Sequence, residues 1–150
     1  MTPWYLAFSL SAMLALPANY AGSQGGKRLA ELDGAWTILQ MEIEGKSLLE
    51  KGEKWKLTIK DGKVTSNAKD APKEAVDLSK FLDPSKKPKT IKYPYEGTIT
   101  FYGIYEVKGD ELRVCGHGVD TATEKQPEAR RPKKFDSREG LLFVFKRDKK

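Results

Sequence analysis

The stretch TITFYGIYEVKGDELRVC, residues 98–115, decides the fold because its side chains fit one β-hairpin register. Gly109-Asp110 supplies a tight turn between two runs of β-favouring residues, 98–107 and 111–115. Counting outward from that turn gives two facing pairs of opposite charge and three apolar pairs. The pairs are Lys108–Glu111, Val107–Leu112, Glu106–Arg113, Tyr105–Val114 and Ile104–Cys115. A slip of one residue would destroy every pair, so the sequence predicts two antiparallel strands in this register.

Strand patterns recur on both sides of this hairpin and are separated by turn signals. The remaining predicted strands are Ala35–Ile43, Trp55–Lys60, Lys63–Ser66, Ala75–Phe81, Thr90–Tyr93 and Leu141–Phe145. Asp61-Gly62 is a two-residue hairpin signal between the second and third of these, and it sets Ile59 opposite Val64. Two prolines exclude a central strand from residues 83–89.

This pattern predicts an all-β fold with short connections and no long helix. Meandering antiparallel strands of this number close into a barrel or a sandwich. A barrel also removes the exposed edges that such apolar strands would offer for aggregation. We therefore expect an antiparallel up-and-down barrel of about eight strands. It would occupy residues 31–148 as one domain, which suits a chain of 150 residues.

The N-terminal segment has the pattern of a secretory signal peptide. Residues 4–16 contain no charge and are too few to span a bilayer, and small residues follow Pro17. We expect a signal peptide over residues 1–21, a flexible lead-in over residues 22–30, and export to the periplasm or the extracellular space. The alternative is a buried N-terminal strand or helix. No cysteine follows the apolar run, so no stable membrane anchor is expected.

Composition narrows the classes of partner. The formal net charge of +6 favours acidic partners, although a basic balance is also a common way to keep a small protein soluble. Cys115 is the single cysteine, so no disulfide can form within one chain and the domain must depend on its core. Export and the expected core role of the aromatic residues argue against nucleic-acid binding.

Several segments resemble a domain family of unknown function that is expanded in planctomycete bacteria and is considered lipocalin-like. The matching segments are residues 32–36, 44–46, 82–89, 103–107, 109–112, Cys115, Arg131-Pro132, Phe135 and the closing strand to Arg147. Gly34-Ala35-Trp36 also looks like the Gly-x-Trp that opens lipocalins at large. The resemblance covers residues 30–148 and implies an up-and-down barrel. It implies no activity, and fold alone does not settle function.

Cys115-Gly116-His117 is the one cluster of side chains typical of metal or nucleophile sites. Its Cys and His would share a strand face, with Asp120 as a distant third ligand, whereas a metal needs three or four ligands in compact geometry. Packing of Cys115 opposite Ile104 is the simpler interpretation. No phosphate loop, nucleophile elbow or zinc-binding helix is present, so we expect neither an enzyme, a metal site nor a cofactor.

The first functional hypothesis is a binding protein for a small apolar or amphipathic ligand, because an eight-stranded barrel is either filled by side chains or holds one such molecule. This hypothesis expects a cavity of about 300 Å³ or more. The candidate ligand-lining residues are Trp36, Trp55, Tyr105, Phe143 and Phe145.

The second hypothesis is an interaction module without a small ligand, which docks on an acidic component of the cell envelope. Basic residues gather in the loops at 83–89 and 120–134, and they would attract anions if the loops met at one end of the barrel. The candidate rim residues are Lys86, Lys87, Lys89, Arg130, Arg131, Lys133 and Lys134.

Overall fold

The computed structural model describes residues 29–69, 71 and 73–149. The predicted signal peptide and most of the lead-in therefore lie outside the described residues. Among the residues that are described, no helix is long and apolar enough to cross a membrane. The helical segments there are 3₁₀ turns at Ala30–Leu32, Leu78–Lys80 and Pro127–Arg130.

Ten β-strands make up the described chain. They are β1 (Gly34–Ile43), β2 (Lys46–Ser47), β3 (Lys56–Lys60), β4 (Lys63–Ser66), β5 (Val76–Asp77), β6 (Leu82–Asp83), β7 (Lys89–Glu96), β8 (Ile99–Lys108), β9 (Glu111–Asp120) and β10 (Leu141–Arg147). All of them belong to one antiparallel sheet that curls into a half-barrel. The prediction of an all-β antiparallel fold is confirmed.

The sheet is a meander whose first and last long strands pair. Its order is β5-β4-β3-β1-β10-β9-β8-β7-β6, with the short β2 on β1. Most neighbours in the sheet are therefore neighbours in the chain. The exceptions are β1 against β3, which only the short β2 separates in the chain, and β1 against β10, where Trp36 faces Arg147. The two edge strands, β5 and β6, are two residues long each and are joined by the 3₁₀ turn at Leu78–Lys80.

The hairpin predicted over residues 98–115 has the predicted register. All five predicted pairs occur between β8 and β9, from Lys108 opposite Glu111 to Ile104 opposite Cys115. The Asp61-Gly62 turn is also confirmed, because both residues have positive φ (52° and 77°) and Ile59 faces Val64.

β9 extends five residues beyond its predicted end at Cys115, because two glycines allow the strands to approach closely. Gly116 lies opposite Gly103, and the ring of Phe101 packs over the pair. A Cβ atom on Gly116 would lie 2.5 Å from Phe101 Cζ and 2.6 Å from the Tyr102 carbonyl oxygen. Glycine here continues the strand, since it leaves room for a neighbouring ring.

The predicted strand Ala75–Phe81 is wrong beyond its first residues, because only Val76–Asp77 is extended. The Asp77 carboxylate accepts hydrogen bonds from the backbone N–H of Ser79 (3.0 Å) and from its hydroxyl (2.5 Å). This local pairing competes with a sheet ladder and starts the 3₁₀ turn. Residues 78–81 then connect the two edge strands, β5 and β6.

One end of the half-barrel is covered by the first described residues. The 3₁₀ turn Ala30–Leu32 accepts a hydrogen bond at its Leu32 carbonyl from the indole N–H of Trp36 (2.7 Å). The Arg147 guanidinium lies 4.2 Å from the centre of the Trp36 ring and donates to the carbonyls of Glu31 (2.8 Å) and Asp33. The last strand therefore fixes the first turn.

Residues 131–140 pack against the outer face of the sheet, whereas most side chains of residues 121–130 are exposed. Phe135 contacts a small buried cluster on that face, formed by Ile104, Cys115, Leu142 and Val144. The side chains of β10 are buried on both faces as a result, from Leu141 to Phe145. The predicted long loop thus acts as a cover, and its Pro127–Arg130 segment is a 3₁₀ turn.

Candidate functional site

A cavity of about 160 Å³ lies inside the half-barrel and opens to solvent. Its wall is almost wholly apolar and carries no charged side chain. The lining residues are Leu32, Trp55, Leu57, Ile59, Val64, Leu78, Phe81, Leu82, Ile91, Tyr93, Phe101, Tyr105, Leu112, Val114, Phe143 and Phe145.

Strand alternation puts these side chains on one face. Successive residues of a strand point to opposite sides of the sheet, so every second residue of a strand faces the interior. β9 contributes Leu112 and Val114 in this way, and β10 contributes Phe143 and Phe145. Cys115, the residue after Val114, points to the outer face. The alternation in the sequence therefore determines which side chains of each strand face the cavity.

Four of the five candidate ligand-lining residues meet in this wall, namely Trp55, Tyr105, Phe143 and Phe145. The Trp55 and Phe145 rings pack edge to face with 5.5 Å between their centres. Trp36 belongs to the same buried core but does not line the cavity, and its ring lies under the Arg147 guanidinium.

Sequence reasoning missed the side of the cavity formed by Leu78, Phe81 and Leu82. These residues follow β5, at and just beyond the end of the predicted strand Ala75–Phe81, and they are half-buried. The Phe81 ring packs edge to face on Tyr93 with 4.8 Å between centres. The apolar residues themselves were visible in the sequence, but their placement depends on the 3₁₀ turn.

The cavity is about half the volume that the ligand-binding hypothesis expected. Aromatic side chains of β7, β8 and β10 occupy part of the interior. On β10, the Phe143 and Phe145 rings are nearly parallel, with 6.3 Å between their centres. The volume is similar to that of an apolar cavity of about 150 Å³ that admits benzene. The enclosed space therefore suits one ring or a short branched chain.

Tyr105 lines the cavity and carries a buried hydroxyl group. Its side chain is 2% exposed, and within the described part of the chain its buried hydroxyl has no hydrogen-bond partner. Burial raises the pKa of this hydroxyl well above its usual range, and the carboxylates of Glu31 and Asp83 raise it further. The group therefore stays protonated and can donate a hydrogen bond.

Cys115 and His117 lie on the outer face, away from the cavity. Desolvation raises the pKa of the Cys115 thiol to about 11, and its sulfur donates to the Asp136 carbonyl at 3.4 Å. His117 donates from Nε2 to the Arg130 carbonyl. Both side chains hold the 121–140 segment against the sheet. Over the described ranges no three His, Cys, Asp or Glu side chains are grouped as a metal site would require.

Two of the seven predicted basic rim residues form ion pairs within the chain. Lys89 forms an ion pair with Glu31. Arg131 pairs with Glu128 at 2.7 Å, donates to the Ile91 carbonyl at 3.3 Å, and lies 5.3 Å from the Tyr102 ring centre. The other five candidates have exposed side chains, and they are Lys86, Lys87, Arg130, Lys133 and Lys134.

Comparison with known proteins yields no relative. No protein-family model, no curated protein and no solved structure matches this chain.

Proposed function

We propose that this chain is an exported, lipocalin-like protein that binds one small apolar molecule inside its half-barrel. The observation that carries the proposal is the apolar cavity that opens to solvent. The up-and-down strand order and the Gly34-Ala35-Trp36 opening of β1 support the lipocalin-like part. The charge-free run over residues 4–16 supports export.

The ligand class follows from the wall. An apolar wall without charged groups offers burial of hydrocarbon as its driving force. A molecule of about ten heavy atoms that gains roughly 0.5 kcal/mol per atom would bind with about 5 kcal/mol, or a Kd near 0.2 mM. A longer chain can add to this by extending through the opening of the cavity.

The first experiment is native mass spectrometry on protein recovered from its own cells, followed by an NMR titration with toluene. Extra mass that is lost on denaturation would support the proposal and would lead to the natural ligand. Chemical-shift changes on the lining strands β9 and β10, saturating in the sub-millimolar to millimolar range, would locate the probe.

A matched pair of variants separates the cavity from the rest of the surface. Leu57→Trp places extra volume in the cavity wall, whereas Leu39→Trp makes the same change on a side chain of β1 that is 54% exposed. Toluene binding should be lost in the first variant and kept in the second. Binding that survives Leu57→Trp, or that is absent from the unaltered protein, would refute the proposal.

A docking role for the basic loops is the second candidate, favoured by the exposure of Lys86, Lys87, Lys133 and Lys134. It predicts binding to an acidic envelope component that weakens steeply with salt, because exposed charges are screened within about 8 Å at physiological ionic strength. Charge reversal at Lys86 and Lys87 should reduce that binding. Retention that is insensitive to salt and to charge reversal would exclude it.

A further inference from the structure

Tyr105 lines the cavity, and its buried hydroxyl forms no hydrogen bond within the described part of the chain. Tyr105 projects from β8, where it faces Lys89 on β7 and Val114 on β9. Its ring belongs to the apolar wall, and its buried oxygen has no hydrogen-bond partner among residues 29–69, 71 and 73–149. Buried hydroxyls are nearly always paired, so an orphan at a cavity points to a partner that arrives from outside the chain.

The surroundings of Tyr105 select the kind of partner. Burial and the carboxylates of Glu31 and Asp83 keep its hydroxyl protonated by raising its pKa. The Glu31 charge is partly balanced by Lys89, while Asp83 accepts a hydrogen bond from the Ser85 N–H at 3.0 Å. No cation lines the cavity to compensate an anionic ligand. A carboxylate or phosphate would therefore lose hydration without gaining a counter-charge.

We infer that the bound molecule is neutral and carries one hydrogen-bond acceptor, such as a carbonyl or ether oxygen, that pairs with the Tyr105 hydroxyl. Because that oxygen is shielded by neighbouring atoms of the wall, a small shift of the wall accompanies binding. This inference rests on the proposed function and names its ligand class: a compact hydrocarbon body with a single polar atom. The apolar wall holds the body, and Tyr105 fixes its orientation.

Two probes of nearly the same shape test the inference. Acetophenone presents a carbonyl oxygen where α-methylstyrene presents a methylene group, so they differ chiefly in the acceptor. Their dissociation constants are measured by NMR titration on the unaltered protein and on Tyr105→Phe. Removing the hydroxyl should weaken acetophenone binding by roughly three- to tenfold more than α-methylstyrene binding.

Tyr95→Phe is the matched control, since Tyr95 is buried but does not line the cavity. It should change neither affinity. Benzoate, an anion of similar size, should bind at least tenfold more weakly than acetophenone at pH 7. The infrared carbonyl stretch of bound acetophenone gives a readout on the unaltered protein, and it should lie at lower frequency than the same ketone shows in hexane.

Each outcome is decisive. Equal effects of Tyr105→Phe on both probes, an unshifted carbonyl stretch, or benzoate binding as tight as that of the ketone would overturn the inference while leaving apolar binding intact. Binding of neither neutral probe to the unaltered protein would instead reject the proposed function, and the inference with it.

Discussion

Replacing Arg147 with alanine should destabilise the protein by about 2–4 kcal/mol, because this one guanidinium joins the last strand to the first described turn. Its contact with the Trp36 ring contributes about 1 kcal/mol as a partly desolvated cation–π pair. Its hydrogen bonds to the carbonyls of Glu31 and Asp33 contribute about 1.5 kcal/mol each at the low end of the charged range. The side chain is 28% exposed, which lowers the sum.

The assay is urea unfolding followed by tryptophan fluorescence, with the free energy of unfolding extrapolated to zero denaturant. Arg147→Lys should lose at least half as much as the alanine variant, since an ammonium keeps the charge but not the planar fork. Lys146→Ala is the control on the neighbouring exposed residue and should stay within about 0.5 kcal/mol. A loss below about 1 kcal/mol for Arg147→Ala, or an Arg147→Lys variant as stable as the parent, would show that the guanidinium does not hold the first turn to the last strand.

Gly116→Ala should lower the free energy of unfolding by about 2–4 kcal/mol in the same assay, since its Cβ would clash with the Phe101 ring and a backbone oxygen. A loss under about 1 kcal/mol would show that the two strands can move apart to accommodate the methyl group. The Cys115 thiol, with its pKa raised to about 11, should react with a thiol reagent at pH 8 about a hundredfold more slowly than free cysteine. Phe135→Ala should speed that reaction by uncovering the outer cluster, and an unchanged rate would contradict the cover. Hydrogen bonds from a lysine and a threonine lower the pKa of Asp148. Asp148→Asn should therefore lose a constant amount of stability between pH 5 and 8, and the difference from the parent should shrink below about pH 4. A stability difference that grows toward acid pH would contradict the lowered pKa.

The β8–β9 register could be predicted from the sequence because each position carries independent information. Side chains alternate with period two, and the charged pairs agree with the apolar pairs in only one alignment, so Lys108–Glu111 and Glu106–Arg113 fix the hairpin before any tertiary contact is known. Part of the cavity wall follows from the same alternation. Tyr105, Phe143 and Phe145 lie on the inner faces of β8 and β10, and Trp55 directly precedes β3.

The missed features depend on contacts between distant segments or on local hydrogen bonds. Asp77 and Ser79 form a side-chain-to-backbone bond that ends β5, and propensity alone favoured a longer strand there. Gly116 continues β9 because a ring from the adjacent strand fills its space. Trp36 is an inward aromatic residue of the same core, as predicted, but it does not line the cavity. Its ring packs under Arg147, a contact between residues 111 positions apart that the sequence does not show.

The pairing of β1 with β10 makes the chain a poor candidate for folding while it is still being synthesised. β1 lacks its second neighbour until residues 141–147 are available, and closing so long a loop is slow because its entropy must be lost before the contacts form. A stop codon just before β10 would have a larger effect than its seven residues suggest. It would divide one sheet into two, β5-β4-β3-β1 with the short β2, and β9-β8-β7-β6, each with a long unpaired edge. Such a product should aggregate, and we expect a cell to degrade it rather than retain a shortened but working protein.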